Sequence, residues 1–318
     1  MANIAINNYC NLRCRYCFAD EMMKQKNKNI SIEDLRTILG FLSKTPRGDQ
    51  VGIIGGEPTL HPNFSEVLKE INRYCVETVS TAMLFTNGTN LEKYIPDLRE
   101  WTGILINVNS PKYVQEKEYQ NTIRAIECLD ASWFAVKRAN IGCNIYPGLN
   151  DYDYIWDIVK RYHINHIRTS VVSPGGCFID MRNDKEKYYN ILKPVFLEYC
   201  KNAIKHDCVI TLDCGHIPEC FFTEDELEIV HRICERPRNN FCEPVIDITQ
   251  DFLATSCFGI YDPVDIRNFE NIFELERYLL VKKIMPRVEN NASERCKTCN
   301  KYELLQCNGG CLGFANMH

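Results

Sequence analysis

The chain has 318 residues, 45% of them hydrophobic and 25% charged, which is the composition of a globular protein with one large or two smaller domains. A net charge of −5 gives no support for nucleic-acid or anionic-membrane binding, and we expect neither partner. A secretory signal and a run of about 18 apolar residues are both absent, so we predict a cytoplasmic protein without a transmembrane helix. In a reducing cytoplasm, clusters among the 18 cysteines indicate metal ligands or catalytic groups rather than disulfides.

Strand-like and helix-like segments alternate through the first two thirds of the chain. Ser31 is the predicted N-cap of the first helix, whose apolar positions run to residue 42. Six strand–helix units in a row predict an α/β fold with a parallel sheet that curls toward a barrel, two units short of eight. The predicted strands are 3–7, 51–54, 79–85, 104–108, 139–146 and 166–172, with later helices at 63–74, 91–101, 119–129, 152–162 and 185–206. Residues 209–213 predict one more strand, and the polar stretch 282–294 predicts a surface loop.

Three cysteines follow the first predicted strand in a C-x3-C-x2-C run, Cys10, Cys14 and Cys17. Three such thiolates can hold three irons of a 4Fe–4S cluster and leave the fourth iron open for chemistry. A zinc site, a disulfide and inert thiols are the alternatives. Zinc usually takes four ligands, and here the local set stops at three with no histidine nearby.

The sequence Gly55-Gly56-Glu57-Pro58 ends the second predicted strand. Two glycines let a ligand approach the backbone closely, and the glutamate can accept a hydrogen bond from an ammonium group. Taken alone, this sequence is typical of a tight strand-to-helix turn. Its position one unit after the cysteine triplet favours a ligand-binding role.

Together these two motifs resemble those of the radical S-adenosylmethionine enzymes. That family has a partial (β/α)6 barrel with C-x3-C-x-aromatic-C after the first strand and a GGEP-type motif after the second, and Tyr16 stands at the aromatic position. The resemblance implies that the open iron binds S-adenosylmethionine. It further implies that one electron cleaves the sulfonium bond, and that the resulting 5′-deoxyadenosyl radical abstracts a hydrogen atom from the substrate.

Further cofactor contacts are implied by the same resemblance. Gly55, Gly56 and Glu57 would receive the methionine ammonium group. Asn107 and Asn109 occupy the place of a Ser-x-Asp-type pair that contacts the ribose, although the usual acid is missing; a capped strand end is the alternative. Asn144 on the fifth strand is a further candidate, with a structural role as its alternative.

The C-terminal third holds a second cysteine pattern, C-x2-C-x7-C-x3-C, made by Cys296, Cys299, Cys307 and Cys311. Judged locally, zinc and an iron–sulfur cluster are equally good interpretations. The region resembles the SPASM extension, or a shorter twitch-like version, of radical S-adenosylmethionine enzymes, which holds one or two auxiliary 4Fe–4S clusters. That resemblance divides the chain into a partial barrel, 1–208, and an auxiliary iron–sulfur domain, 209–318.

The resemblance implies one auxiliary cluster on Cys234, Cys242, Cys257 and Cys311 and a second on Cys296, Cys299 and Cys307. The chain departs from the family pattern in three ways. Phe252 stands where the family has a glycine, the middle spacing is seven rather than five, and no cysteine follows Cys311. The second cluster would therefore be absent, open to substrate, or completed by Cys214 or Cys220, and a single auxiliary cluster remains the conservative alternative.

Enzymes with this extension mostly modify peptides, so the resemblance favours cross-linking, thioether formation, epimerisation or oxidation of a peptide. The first strand begins almost at Met1, so we expect no leader-binding domain ahead of it. The substrate would then be a leaderless peptide, a peptide presented by a separate protein, or a small molecule. A flavodoxin- or ferredoxin-type protein would donate the electron. The alternatives are a radical enzyme that makes a small-molecule cofactor or modified nucleoside, and a non-enzymatic iron–sulfur electron carrier.

Overall fold

The structure is a computed structural model that describes residues 2–17, 19–45, 49–100, 102–129, 131–213, 215, 217–235, 241–242 and 245–314. The predicted α/β fold, a partial barrel with a cysteine-rich C-terminal extension, is confirmed. Within the described ranges, no helix has both the length and the apolar character needed to cross a membrane.

The strands of the described residues form one sheet. They are β1 (Ala2–Ala5), β2 (Gln50–Ile54), β3 (Thr81–Thr86), β4 (Thr102–Asn107), β5 (Ala139–Ile145), β6 (His166–Val171), β7 (Val209–Leu212), β8 (Cys234–Glu235), β9 (Ile246–Ile248), β10 (Leu253–Thr255) and β11 (Val264–Asp265). Their order is β11-β10-β9-β1-β2-β3-β4-β5-β6-β7-β8, so β8 and β11 are the edges of an open sheet. Neighbours from β1 to β8 are parallel, and β9 adds to β1 in parallel.

Helices connect the parallel strands and continue through the C-terminal region. The α-helices are α1 (Asp20–Met23), α2 (Ile32–Ser43), α3 (Phe64–Thr78), α4 (Glu116–Cys128), α5 (Ala131–Ala135), α6 (Asp153–Arg161), α7 (Lys185–Lys205), α8 (Glu224–Ile233), α9 (Ile272–Tyr278), α10 (Met285–Asn291) and α11 (Asn300–Glu303). Short 3-10 helices are Pro58–Leu60, Leu91–Asp97, Gly176–Asn183, Glu219–Phe221, Phe258–Ile260, Ile266–Asn268, Glu294–Thr298 and Leu312–Phe314, and Leu279–Ile284 is a π-helix.

Successive side chains along each strand alternate between the two faces of the sheet, and this decides which of them can reach a ligand. Aligned apolar residues of neighbouring strands, such as Ile4, Ile53 and Leu84, are fully buried in the main core. The intervening residues are less buried; in β6, for example, Arg168 lies between the buried Ile167 and Thr169. Because successive side chains point to opposite faces, these half-buried residues share the other face of the sheet.

Local sequence rules account for most helices and strands, and they explain why two predicted elements are wrong. The predicted cap on α2 is confirmed, since Ser31 Oγ accepts a hydrogen bond from the Asp34 backbone N–H at 3.0 Å. The predicted helix over 91–101 is wrong: a 3-10 helix ends at Asp97, and it contains Pro96, which removes a backbone donor. The predicted loop over 282–294 is also wrong, because the π-helix and α10 bury Leu279, Ile284 and Val288 there.

The sheet continues across residue 208. β7 pairs with β6, and β9 pairs with β1 at the opposite side of the sheet. The C-terminal region therefore adds strands to both ends of the sheet built by the first 208 residues. The division into two domains stays a prediction.

Candidate active site

The cysteine triplet occupies the loop that follows β1. Cys10, Cys14 and Cys17 are half-buried, and the Cys17 N–H donates to the Cys14 carbonyl at 3.1 Å. The pKa of Cys10 is raised to about 12, mainly by burial, and Glu57 and the neighbouring thiols of Cys14 and Cys17 contribute to this rise. Burial likewise raises the pKa of Cys14 to about 11, with Cys17 adding to the effect. The three thiols thus lie within electrostatic reach of one another, and a metal that binds them must displace their protons.

Tyr16 connects this loop to the ends of β4 and β5. Its hydroxyl donates to Asn109 Oδ1 at 2.6 Å, and the Cys14 thiol donates to the same oxygen at 3.5 Å. Burial raises the pKa of Tyr16 well above its usual range, whereas a hydrogen bond with the Asn144 side chain lowers it. The Tyr16 ring stacks on Tyr146 with 4.9 Å between ring centres. The structure therefore brings three predicted residues, Tyr16, Asn109 and Asn144, together beside Cys14.

Asn107 lies two residues before Asn109, at the end of β4. Its side-chain oxygen stands 2.3 Å from the position that a Cβ on Gly142 of β5 would take. The glycine thus leaves room for the Asn107 amide to lie across the neighbouring strand. Contact of Asn107, Asn109 and Asn144 with a cofactor stays a prediction.

The Gly55-Gly56 turn packs directly against the start of the cysteine loop. The Gly56 N–H donates to Asn7, at 3.2 Å to the backbone carbonyl and 3.1 Å to Oδ1, and the Glu57 N–H donates to the Tyr9 carbonyl at 2.9 Å. A Cβ on Gly56 would stand 2.1 Å from the Tyr9 carbonyl oxygen. Only glycine fits this contact, which fixes the two motifs relative to each other.

Glu57 is buried, and its carboxylate accepts four hydrogen bonds. Oε1 accepts from the Thr59 N–H at 3.1 Å, the Thr59 hydroxyl at 2.6 Å and the Thr86 hydroxyl at 2.7 Å. Oε2 accepts from the Asn87 N–H at 2.7 Å. Burial raises the pKa of Glu57 and these four donors oppose the rise. The carboxylate therefore ties the turn after β2 to the end of β3, and its proposed role toward an ammonium group stays a prediction.

Asn87 is not among the site residues predicted from the sequence, although the structure places it in contact with the cysteine loop. Its Nδ2 donates to the Cys10 sulfur at 3.7 Å and to Asn11 Oδ1 at 3.0 Å. Its Oδ1 accepts from the Thr89 N–H at 3.0 Å. A chain of hydrogen bonds thus runs from Glu57 through Asn87 to Cys10. Hydrogen bonds to a ligand sulfur tune a bound cluster, and the position of Asn87 directly after a predicted strand was the available signal.

Replacing Gly56 with alanine is expected to separate the two motifs. The added Cβ would clash with backbone atoms of Tyr9, so the turn must shift, at a cost of about 1–3 kcal/mol in the free energy of unfolding. Cleavage of S-adenosylmethionine should fall by about 100-fold, because catalytic geometry tolerates little displacement. The control is Gly40→Ala on α2, which meets nothing within 4 Å and should stabilise the protein by about 0.5–1 kcal/mol. Wild-type cleavage by Gly56→Ala would refute the role of this contact.

Cys242, Cys257 and Cys311 form a second group of thiols. Burial raises the pKa of Cys257 above its usual range, and the neighbouring thiols of Cys311 and Cys242 add to the rise. Phe252, which replaces the family glycine, has a φ of +62° in the turn between β9 and β10. This conformation favours glycine and costs other residues roughly 1–2 kcal/mol. The backbone thus keeps the shape that a glycine would allow.

Cys234 lies elsewhere. It is buried on the edge strand β8, and its sulfur is 3.9 Å from that of Cys200 on α7. β8 and the β9–β11 strands occupy opposite ends of the sheet. The edge strand thus holds Cys234 in the apolar core beside α7, and its expected ligand role stays a prediction.

Cys296, Cys299 and Cys307 form a third group. Burial raises the pKa of Cys307, and the thiols of Cys296 and Cys299 contribute to the rise. Cys214, considered as a further ligand, lies outside the described residues. None of the 17 cysteines in the described ranges forms a disulfide, as expected for clustered ligands.

The cysteine groups supply thiolates, the ligands that iron–sulfur clusters take. Across the described residues, no group of three or more His, Cys, Asp or Glu side chains is placed to hold a single metal ion. Each thiolate of a 4Fe–4S cluster binds a different iron, so its ligands need not converge on one point. The three thiols near Cys10, joined to a glycine turn and buried polar groups, fit a cluster with one open iron.

Comparison with known proteins agrees with this site. A sequence profile of the Radical SAM superfamily matches residues 4–176, which include β1 to β6 and both motifs. GTP 3′,8-cyclase of Rhizobium etli (strain CIAT 652) is 25% identical over 191 residues, covering 57% of this chain and 54% of that protein. The chain spans between 24% and 54% of the length of its most similar curated relatives.

Two solved structures share the fold over nearly the whole chain. The structure of anSMEcpe with bound S-adenosylmethionine and Cp18Cys peptide has a TM-score of 0.61 at 16% identity, covering 98% of this chain and 88% of that chain. SuiB of Streptococcus suis bound to S-adenosylmethionine has a TM-score of 0.58 at 16% identity, covering 98% of this chain and 72% of the SuiB chain. At this identity the similarity establishes the fold and nothing more.

Proposed function

Because this chain belongs to the Radical SAM superfamily, we propose that it is an enzyme that reductively cleaves S-adenosylmethionine and abstracts a hydrogen atom from an organic substrate. The family implies a 4Fe–4S cluster and S-adenosylmethionine as its cofactors. The observation that carries the proposal is the joint placement of Cys10, Cys14 and Cys17 against the Gly55-Gly56 turn.

Several side chains would prepare the site for these groups. Cys10, Cys14 and Cys17 would hold the cluster, which together with S-adenosylmethionine supplies one-electron cleavage and hydrogen-atom abstraction. Asn87 and Asn109 position the sulfurs of Cys10 and Cys14 through hydrogen bonds. The stacked rings of Tyr16 and Tyr146 cover the loop on one side, a buried apolar surface that excludes water.

For the substrate, we favour a small molecule. The support is the sequence similarity to GTP 3′,8-cyclases, enzymes named for a reaction of a nucleotide. Arg168 on β6 offers a half-buried cation, which pairs with Asp213 at 2.5 Å and lies over the Phe85 ring at 5.1 Å. A guanidinium beside an aromatic ring suits a ligand with an anionic or planar group.

A peptide substrate is the second candidate. The observation that favours it is the shared fold over 98% of this chain with anSMEcpe, which was solved with a bound peptide. The polar face of the sheet would then hold one residue of the peptide. For either substrate, a flavodoxin- or ferredoxin-type donor would deliver the electron.

Substrate-dependent product formation tests the proposal. Anaerobically reconstituted protein would be incubated with S-adenosylmethionine, a reductant and either nucleoside triphosphates or short peptides, and 5′-deoxyadenosine would be measured. A nucleotide that raises the yield and transfers deuterium from a labelled carbon into 5′-deoxyadenosine would support the small-molecule proposal. If deuterium is transferred only from peptides, the peptide candidate replaces the small-molecule proposal.

A further inference from the structure

The thiol of Cys220, one of the residues that the sequence offered to complete the second auxiliary cluster, lies beside the third cysteine group. Cys220 is exposed on the short 3-10 helix Glu219–Phe221, 76 residues before Cys296 in the numbering. Its thiol is within electrostatic reach of three others, those of Cys307, Cys296 and Cys299. The fold thus adds a fourth sulfur to a set of three.

Contacts on both sides of Cys220 fasten its loop to the segment that carries Cys296 and Cys299. Arg295 Nη1 donates to the Cys220 carbonyl at 3.2 Å, and the Arg295 guanidinium lies over the Phe221 ring at 5.3 Å. Lys301 forms an ion pair with Glu219. The neighbour before Cys220, the residue itself and the neighbour after it are therefore all held against this segment.

The other three sulfurs are positioned by short-range backbone structure. The Cys299 N–H donates to the Cys296 carbonyl at 3.2 Å, and the Cys307 N–H donates to the Lys301 carbonyl at 3.0 Å. The Cys296 sulfur stands 3.4 Å from the position that a Cβ on Gly309 would take. The backbone after Cys307 thus packs closely on Cys296.

The half-buried side chain of Lys185 lies near this set of thiols, which includes Cys296, Cys220 and Cys307. Lys185 Nζ donates to the Gly309 carbonyl at 2.9 Å and also bonds the Asn291 carbonyl. A positive charge beside thiols favours their thiolate form, which is the form that binds metal.

We propose that Cys220, Cys296, Cys299 and Cys307 are the four ligands of one auxiliary 4Fe–4S cluster. With four protein thiolates, no iron of this cluster has an open coordination site. The cluster therefore transfers electrons or stabilises the fold and binds no substrate. The site is separate from the Cys10 site, and its existence does not depend on which substrate the enzyme uses. Cys220, from the loop before α8, supplies the fourth ligand that the third cysteine group lacks.

Iron counting on Cys220→Ala tests the proposal, with Cys128→Ala as the matched control because Cys128 is exposed on α4, outside the three groups. Cys220→Ala should either lose up to about four irons per chain or keep a cluster in which one iron lacks a protein thiolate and gives a distinct Mössbauer signal, whereas Cys128→Ala should match wild type. Unchanged iron content and Mössbauer spectra in Cys220→Ala would overturn the proposal. So would one zinc per chain that disappears with Cys220.

A measurement on the wild-type protein covers the case in which Cys220→Ala does not fold. Apo and reconstituted proteins would be treated with iodoacetamide and the modified cysteines identified by mass spectrometry. Cys220 should react in the apo protein and be protected after reconstitution, while Cys128 reacts in both. Equal reaction of Cys220 and Cys128 in the reconstituted protein would contradict the assignment.

Discussion

Replacing Cys14 with alanine is expected to reduce cleavage of S-adenosylmethionine to background without removing iron from the proposed C-terminal cluster. Two thiols cannot hold the cluster that three hold, and the C-terminal groups lie on other elements of the fold. The iron content should fall by about four per chain. Iron and sulfide analysis and 5′-deoxyadenosine formation measure the two effects.

The matched control is again Cys128→Ala, which removes an exposed thiol on α4. It should keep the wild-type iron content and activity. Two outcomes would contradict the account: full cleavage by Cys14→Ala, or loss of all iron at once. The second would mean that the clusters fold as one unit, since metal binding and folding can be coupled.

Replacing Glu57 with glutamine is expected to lower the free energy of unfolding by about 2–4 kcal/mol, because a buried, charge-assisted network loses a partner. All four hydrogen bonds need an acceptor. Glutamine supplies one oxygen, so its NH2 group would face a donor such as the Asn87 N–H. Cleavage of S-adenosylmethionine should fall as well, because the network runs on to Cys10 through Asn87.

Chemical denaturation under anaerobic conditions measures the stability change in Glu57→Gln. Glu77→Gln is the control, because Glu77 is exposed near the end of α3 and forms only a long ion pair of 3.9 Å with Arg73. Its free energy of unfolding should change by less than about 0.5 kcal/mol. Equal changes in the free energy of unfolding for the two variants would contradict the stabilising role of the buried hydrogen-bond network.

The sequence allowed the fold and the first site to be predicted because both depend on local patterns. Alternating strands and helices established the parallel sheet, and motif spacing located the cysteine loop and the glycine turn. The role of Asn87 could not be predicted from the sequence. Its hydrogen bond to Cys10 joins residues 77 positions apart and forms only when β1 and β3 lie in the same sheet. The sequence offered Cys220 only as one alternative beside Cys214, because its three neighbouring thiols lie far along the chain and spacing alone could not choose between them.

Composition and spacing leave open what tertiary packing decides. Cys234 fits a ligand pattern in the sequence, and the structure adds that β8 holds it beside Cys200 on an edge strand, so its ligand role stays a prediction. The polar composition of 282–294 suggested a loop, whereas a few apolar residues such as Ile284 and Val288 suffice to bury one face of a helix.

The central claim is that the Cys10–Cys14–Cys17 loop and the Gly55–Gly56 turn together form a site for cleaving S-adenosylmethionine. The most direct measurement is 5′-deoxyadenosine formed by anaerobically reconstituted wild-type protein with S-adenosylmethionine and a reductant. The account predicts 5′-deoxyadenosine from the wild type and none from Cys14→Ala. A wild-type protein with its full iron content that forms no 5′-deoxyadenosine, with or without candidate substrates, would contradict it.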